Sequence, residues 1–203
     1  MRRPRRWLHV GAAAGTAAHH GFELAAGVGL VFQPYLGLGG SAALWGASLP
    51  AWVATVWWAS ARARRRAAGP DDAPAERVDH LVDGTLAFLV GVSIAGALLH
   101  FKLWPVERRP RGRRLGLPVL VEAEGLSPRQ LPTYNAVLYV WGIASVAALI
   151  GGTPRGSRRW AAPGLVAAIP LTWSARHHFA WLAQQARDRP AWWNRAPRQG
   201  AVR

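Results

Sequence analysis

A chain of 203 residues is long enough for one compact unit. About half of its residues are hydrophobic and only 17% are charged, below the roughly 25% of ordinary soluble domains. Arginine dominates the charge, with 24 Arg and one Lys against ten acids for a net +15, and there is no Cys; disulfides, thiolate metal sites and cysteine nucleophiles are excluded.

The polarity is segregated. Short basic blocks (RRPRR, RARRR, ERRPRGRR, RGSRR) punctuate long apolar runs, where a soluble domain would show amphipathic periodicity through each element. A nucleic-acid binder would line one face with Arg and interleave aromatics. Arginines at the ends of apolar runs meet anionic lipid headgroups instead. The expected class is an all-α, polytopic helical membrane protein with about five transmembrane helices in one bundle. Its expected setting is a bacterial inner membrane, with membrane lipid as partner and no nucleic acid.

The first predicted helix spans about 7–32 and stops at Gln33-Pro34 and the turn LGLGG. Its opening reads as part of that helix rather than as a cleaved leader. It is poor in Leu and Ile for a signal core, and the apolar run continues past the small residues. The second helix, about 41–61, ends at RARRR. The third, about 81–104, begins beside Asp79, His80 and Asp83, acids suited to the positive end of a helix dipole. Then comes the one long loop, 102–133, which is basic. Its stretch LGLPVLVEAEGLSPRQLP is too short and Pro-rich to cross a bilayer, but apolar enough to lie on it or fold over a cavity. The fourth helix, about 134–152, opens on Tyr134 and Asn135, expected as interfacial anchors. The fifth, about 160–183, should bend at Pro163 and Pro170, and the tail 184–203 should anchor at the interface.

Each segment is close to the roughly 20 residues that cross a hydrocarbon core. Trp7, Trp57, Trp58, Trp104, Trp160 and Trp181 fall at predicted ends, as an aromatic belt would place them. Gly11 with Gly15, and Ala87 with Gly91 and Ala95, offer small residues for close helix packing. Five crossings from a cytoplasmic N-terminus leave 12 basic residues on each side, so the positive-inside bias does not decide orientation. A re-entrant third segment would restore the bias, but 81–104 is long enough to span.

Ionisable groups inside such segments are expensive and mark function. The first helix carries His19, His20 and Glu23, where spacings of four and three bring imidazole beside carboxylate. The third carries His100, and the fifth carries Arg176, His177 and His178. At about 1.5 Å per residue, Glu23, His177 and His100 lie roughly 24, 26 and 29 Å along helices that run the same way. One shared site is expected.

A carboxylate beside imidazoles in low dielectric suits proton transfer. Arg176 would hold an anionic group, and a lipid or isoprenoid-like substrate fits a site among apolar helices. The alternative is a non-catalytic scaffold or partner subunit, with the same residues as interhelical clamps. A third reading is electron transfer through haem or metal. His100 would pair with His19, His20, His177 or His178 as axial ligands, although HHxxE matches no zincin spacing.

Overall fold

The computed structural model describes residues 5–66, 73–111 and 114–195. The chain is mostly helical: α1 (Leu8–Ala26), α2 (Gln33–Arg66), α3 (Ala73–Leu103), α4 (Leu131–Ala147), α5 (Ala161–Val166) and α6 (Ala168–Asp188). Helix α4 continues through a π turn, Ala148–Gly152, and a 3-10 turn, Arg155–Trp160, leads into α5. The loop predicted over 102–133 is largely structured. It holds an antiparallel hairpin, β1 (Val106–Arg111) and β2 (Arg114–Leu120), whose register pairs Val106 with Leu120 and Arg108 with Pro118.

Contacts between helix ends fix their directions. The start of α1 meets the end of α4, through the Arg5 amide on the Gly151 carbonyl and His9 beside Thr153. The start of α1 also meets the early part of α3 through Arg6 and Asp83. Helices α1 and α3 therefore run together and α4 runs against them. Helix α5 packs closely on α3, with Ala161 over Gly91 and Gly164 over Phe88, and α6 brings Phe179 against Trp104 just past the end of α3. One buried cluster forms around Ala12, Trp52, Val56, Leu86 and Val90. A second, at the other end, forms around Leu103, Tyr134, Leu138, Trp141 and Leu182.

Several sequence expectations change. Helix α3 starts at Ala73, so Asp79 and Asp83 lie within it and serve as ion-pair partners, not as helix-start acids. Arg62 Nε donates to Asp79 at 2.7 Å, and Arg6 grips Asp83 with two bonds of 3.0 and 2.9 Å. The predicted fifth helix breaks at Ala167, between Pro163 and Pro170. Helix α2 is interrupted at Gly37 (φ 68°) and contains Pro50. Trp104 belongs to the core, while Trp7, Trp57, Trp58 and Trp160 are exposed. Gly15 sits against Trp141, but Gly11 faces nothing within 4 Å. The tail folds back: Trp193 stacks on Trp181, and the Arg195 guanidinium donates to the Ala25 carbonyl. Residues 196–203 lie outside the described part.

Among the described residues two helices, 76–103 and 131–152, are long and apolar enough to cross a membrane. Length and hydropathy thus support two of the five expected crossings and leave a five-span bundle unconfirmed. Three His and Glu23 dilute α1, Gly37 interrupts α2 near its start, and Ala167 divides the fifth segment.

The Arg6–Asp83 pair is nearly buried and bidentate, so breaking it strands a charge. Arg6→Met is expected to destabilise by about 3 kcal/mol. Asp83→Asn should add much less in that background than alone, which a double-mutant cycle of unfolding in detergent measures.

Candidate functional site

Glu23 is the hub. On α1 the residues three and four positions back lie on its own face, so His20 and His19 reach its two oxygens separately. His19 Nε2 is 3.1 Å from Oε1, and His20 Nδ1 is 3.3 Å from Oε2. Adjacent histidines diverge around a helix, yet a carboxylate between their directions takes both. All three side chains are buried.

Helix α3 adds His100, whose Nε2 lies 3.6 Å from Glu23 Oε1. Its Nδ1 faces the Gly96 carbonyl at 2.8 Å. A carbonyl only accepts, so Nδ1 carries a hydrogen and Nε2 is turned to the cluster. Helix α4 supplies Tyr134, fully buried.

The last member is Glu124, from the stretch between β2 and α4. Ala123 to Leu126 form a tight turn, closed by the Leu126 amide on the Ala123 carbonyl at 2.7 Å. Its central residues, Glu124 (φ 53°) and Gly125 (φ 71°), are both left-handed, the I′ kind of turn. Glu is an uncommon occupant of that region, and strain of this sort gathers at functional sites. Asn135 ties the segment to α4, accepting from the Leu120 amide at 2.8 Å and donating to the Leu120 carbonyl at 3.0 Å. Glu124 Oε1 ends 3.4 Å from His100 Nε2, with its side chain wholly buried.

Tyr134 joins the two acids. Its hydroxyl lies 2.7 Å from Glu124 Oε1 and 3.0 Å from Glu23 Oε1. A phenol has one hydrogen, so it donates to one of them only; the other short contact needs a protonated carboxyl donating to the phenol oxygen. Glu124 is the natural holder of that proton. Burial, reinforced by the Glu23 carboxylate, raises its carboxyl well above the usual range. Tyr134→Phe removes the hydrogen between two buried acids and is expected to destabilise by about 1–3 kcal/mol, read from denaturation in detergent.

Aromatic plates fix the imidazoles. His19 stacks on Trp141 (4.6 Å, 16°) and meets His100 edge-on at 4.6 Å, and His20 lies 3.9 Å from Trp45. Trp141 is itself held by its Nε1, which donates to Ser93 Oγ at 2.6 Å, and Ser93 meets Ser145 at 2.8 Å. The close His19–His100 contact leaves no slot for a macrocycle between them, so that pair does not fit the bis-histidine haem expectation.

His19, His20, Glu23 and His100 border a cavity of about 190 Å³. Trp45, Trp52, Leu89, Leu171 and Phe179 supply apolar walls. A cavity of about 150 Å³ admits benzene, so this one has room for part of an alkyl or prenyl chain. Tyr134 and Glu124 are not on the wall; they lie behind Glu23 and His100.

Of the seven residues expected to share a site, the structure gathers His19, His20, Glu23 and His100. His178 reaches the cavity wall but its Nε2 donates to the Val28 carbonyl at 3.2 Å rather than joining the Glu23 cluster. Arg176 and His177 are exposed and off the cavity wall, and His177 meets Tyr35. They precede His178 on α6, and helical rotation carries them outward. Among the described residues no Arg or Lys pairs with Glu23 or Glu124. Glu124 and Tyr134 escape sequence reasoning: one lies in a loop, the other looks like an interfacial tyrosine. The available signal was an acid-glycine pair inside an apolar, Pro-flanked stretch. No family model, curated protein or solved structure matches the chain.

Proposed function

We propose that this is an integral membrane protein that takes a lipid-like molecule into the cavity. The molecule's oxygen-bearing head lies against Glu23, and the centre exchanges a proton with it. The single observation that carries this reading is the joining of a buried His/Glu/Tyr cluster to an apolar cavity.

The membrane setting is supported by the inverted dress of α4. That helix turns Tyr134, Asn135 and Ser145 inward, while Val140, Ile143 and Ile150 are exposed. Leu98, Val166, Ile169 and Trp173 extend the apolar exterior. Water penalises such a surface, and monomeric soluble proteins rarely carry one. Lipid accepts it, and polar groups then turn to each other inside.

The proton route follows the string Glu124–Tyr134–Glu23. Glu124 gives its hydrogen to the Tyr134 oxygen as Tyr134 passes its own to Glu23. Glu23 is left protonated and Glu124 ionised, and Glu23 then hands the proton to the head. The reverse sequence accepts a proton from it. Arg176, exposed on α6, takes no part.

Filling the cavity separates binding from folding. Ala175, on the wall, replaced by Trp is expected to retain the melting temperature within a few degrees. One long-chain alcohol per protein, captured by the wild type in native mass spectrometry, should be lost. Equal capture by Ala175→Trp would overturn the proposal.

A further inference from the structure

We infer that His19 Nε2, His100 Nε2 and the Glu23 carboxylate form a binding site for one divalent transition-metal ion. The inference stands on ligand geometry alone and does not need the cavity to hold a lipid.

The three ligand atoms lie within 4.8 Å of one another. Glu23 Oε1 is 3.1 Å from His19 Nε2 and 3.6 Å from His100 Nε2. Ligands about 2.0–2.1 Å from a tetrahedral ion stand about 3.4 Å apart, so only small side-chain adjustments would bring all three onto one ion. Two imidazoles and a carboxylate are a set suited to zinc or iron, not to calcium or magnesium.

The surroundings fit the same role. A metal-binding His characteristically donates its other ring N–H to a carbonyl or carboxylate, which fixes the tautomer and aims the free nitrogen. His100 does this through Gly96 at 2.8 Å. His19 is aimed by stacking on Trp141. The ligating carboxylate would be held in turn by the Tyr134 hydroxyl and by His20. Among the described residues no Arg or Lys pairs with the Glu23 carboxylate, and a bound dication would supply positive charge there. All three ligands border the cavity, so the fourth coordination position faces the space where an oxygen of a bound molecule would enter. Three protein ligands with one open position is the arrangement of catalytic, rather than purely structural, zinc.

The test uses the full-length protein in detergent, freed of metal by chelation and titrated with Zn²⁺ against a chromophoric competitor. One tight site is expected. His100→Gln and Glu23→Gln should each weaken it at least about 100-fold, while His80→Gln, on the exposed part of α3, leaves it unchanged. Should both variants fail to fold, X-ray absorption at the zinc edge of the wild type decides: two imidazoles and a carboxylate oxygen support the site, and any other first shell overturns it. No stoichiometric binding, or binding indifferent to His100 and Glu23, also overturns it. Alcohol capture by metal-free protein is scored separately, so loss of the lipid reading and loss of the metal site are distinct results.

Discussion

Glu23→Gln is expected to fold with a loss of no more than about 1–2 kcal/mol, yet to capture a long-chain alcohol roughly 10- to 100-fold more weakly. The shape is unchanged and the amide still hydrogen-bonds, so packing survives. What disappears is a charged partner for the ligand's head, and hydrogen bonds to charged groups contribute about 1.5–3 kcal/mol, with each 1.4 kcal/mol worth tenfold in affinity. Paired thermal melts and native mass spectra check both halves. If the cluster is instead an interhelical clamp, the pattern inverts: stability falls by several kcal/mol and capture is untouched.

Gly91→Leu is expected to lower stability by about 3 kcal/mol or more and to prevent α5 from seating on α3. A Cβ at Gly91 would come within 2.2 Å of the Ala161 carbonyl oxygen, and one at Gly164 within 2.2 Å of the Phe88 carbonyl oxygen. Both obstacles are backbone, so neither can step aside as a flexible side chain would, and overpacking of this kind commonly destabilises by 1–3 kcal/mol, occasionally more. Gly164→Ala should act in the same direction. Combining it with Gly91→Ala should give less than the sum, because each already parts the same two backbones. Gly11→Ala is the contrast. With nothing within 4 Å of its Cβ position, it should be neutral or stabilise by up to about 1 kcal/mol, the difference in helix propensity. Melting in detergent ranks all of these. The functional consequence is expected at α6, which follows α5 directly in the chain and carries His178 to the cavity wall.

Sequence and structure agree best where a one-turn rule applies. The approach of His19 and His20 to Glu23 follows from helical spacing and needs no tertiary information. The meeting of Glu23 with His100 required more: two helices running the same way, with their polar groups at equal height. Counting residues from helix starts captured that, although α3 begins eight residues before the expected position.

The same count failed for Arg176 and His177, because height says nothing of rotation. His178 is turned inward and its two predecessors are turned out, a choice made by how α6 packs after the break at Ala167. Glu124 was hidden for another reason. Its place depends on a left-handed turn and on Asn135 acting as a strand partner for Leu120, and neither has a periodic signature. Tyr134 looked like an interfacial anchor because tyrosines at helix starts so often are. Here the loop before it folds inward and takes the tyrosine out of any interface. The small-residue signal was similarly mixed: Gly15 and Gly91 permit close contacts, while Gly11, with the same spacing, faces open space.

The most direct test of the lipid-binding centre is photocrosslinking with a long-chain alcohol that carries a diazirine beside its hydroxyl. In membranes, labelling is expected on cavity-lining residues such as Leu103, Ala175 and Phe179, and should vanish in Ala175→Trp. Labelling confined to the outer face, on Val140, Ile143 and Ile169, and indifferent to that substitution, would contradict it.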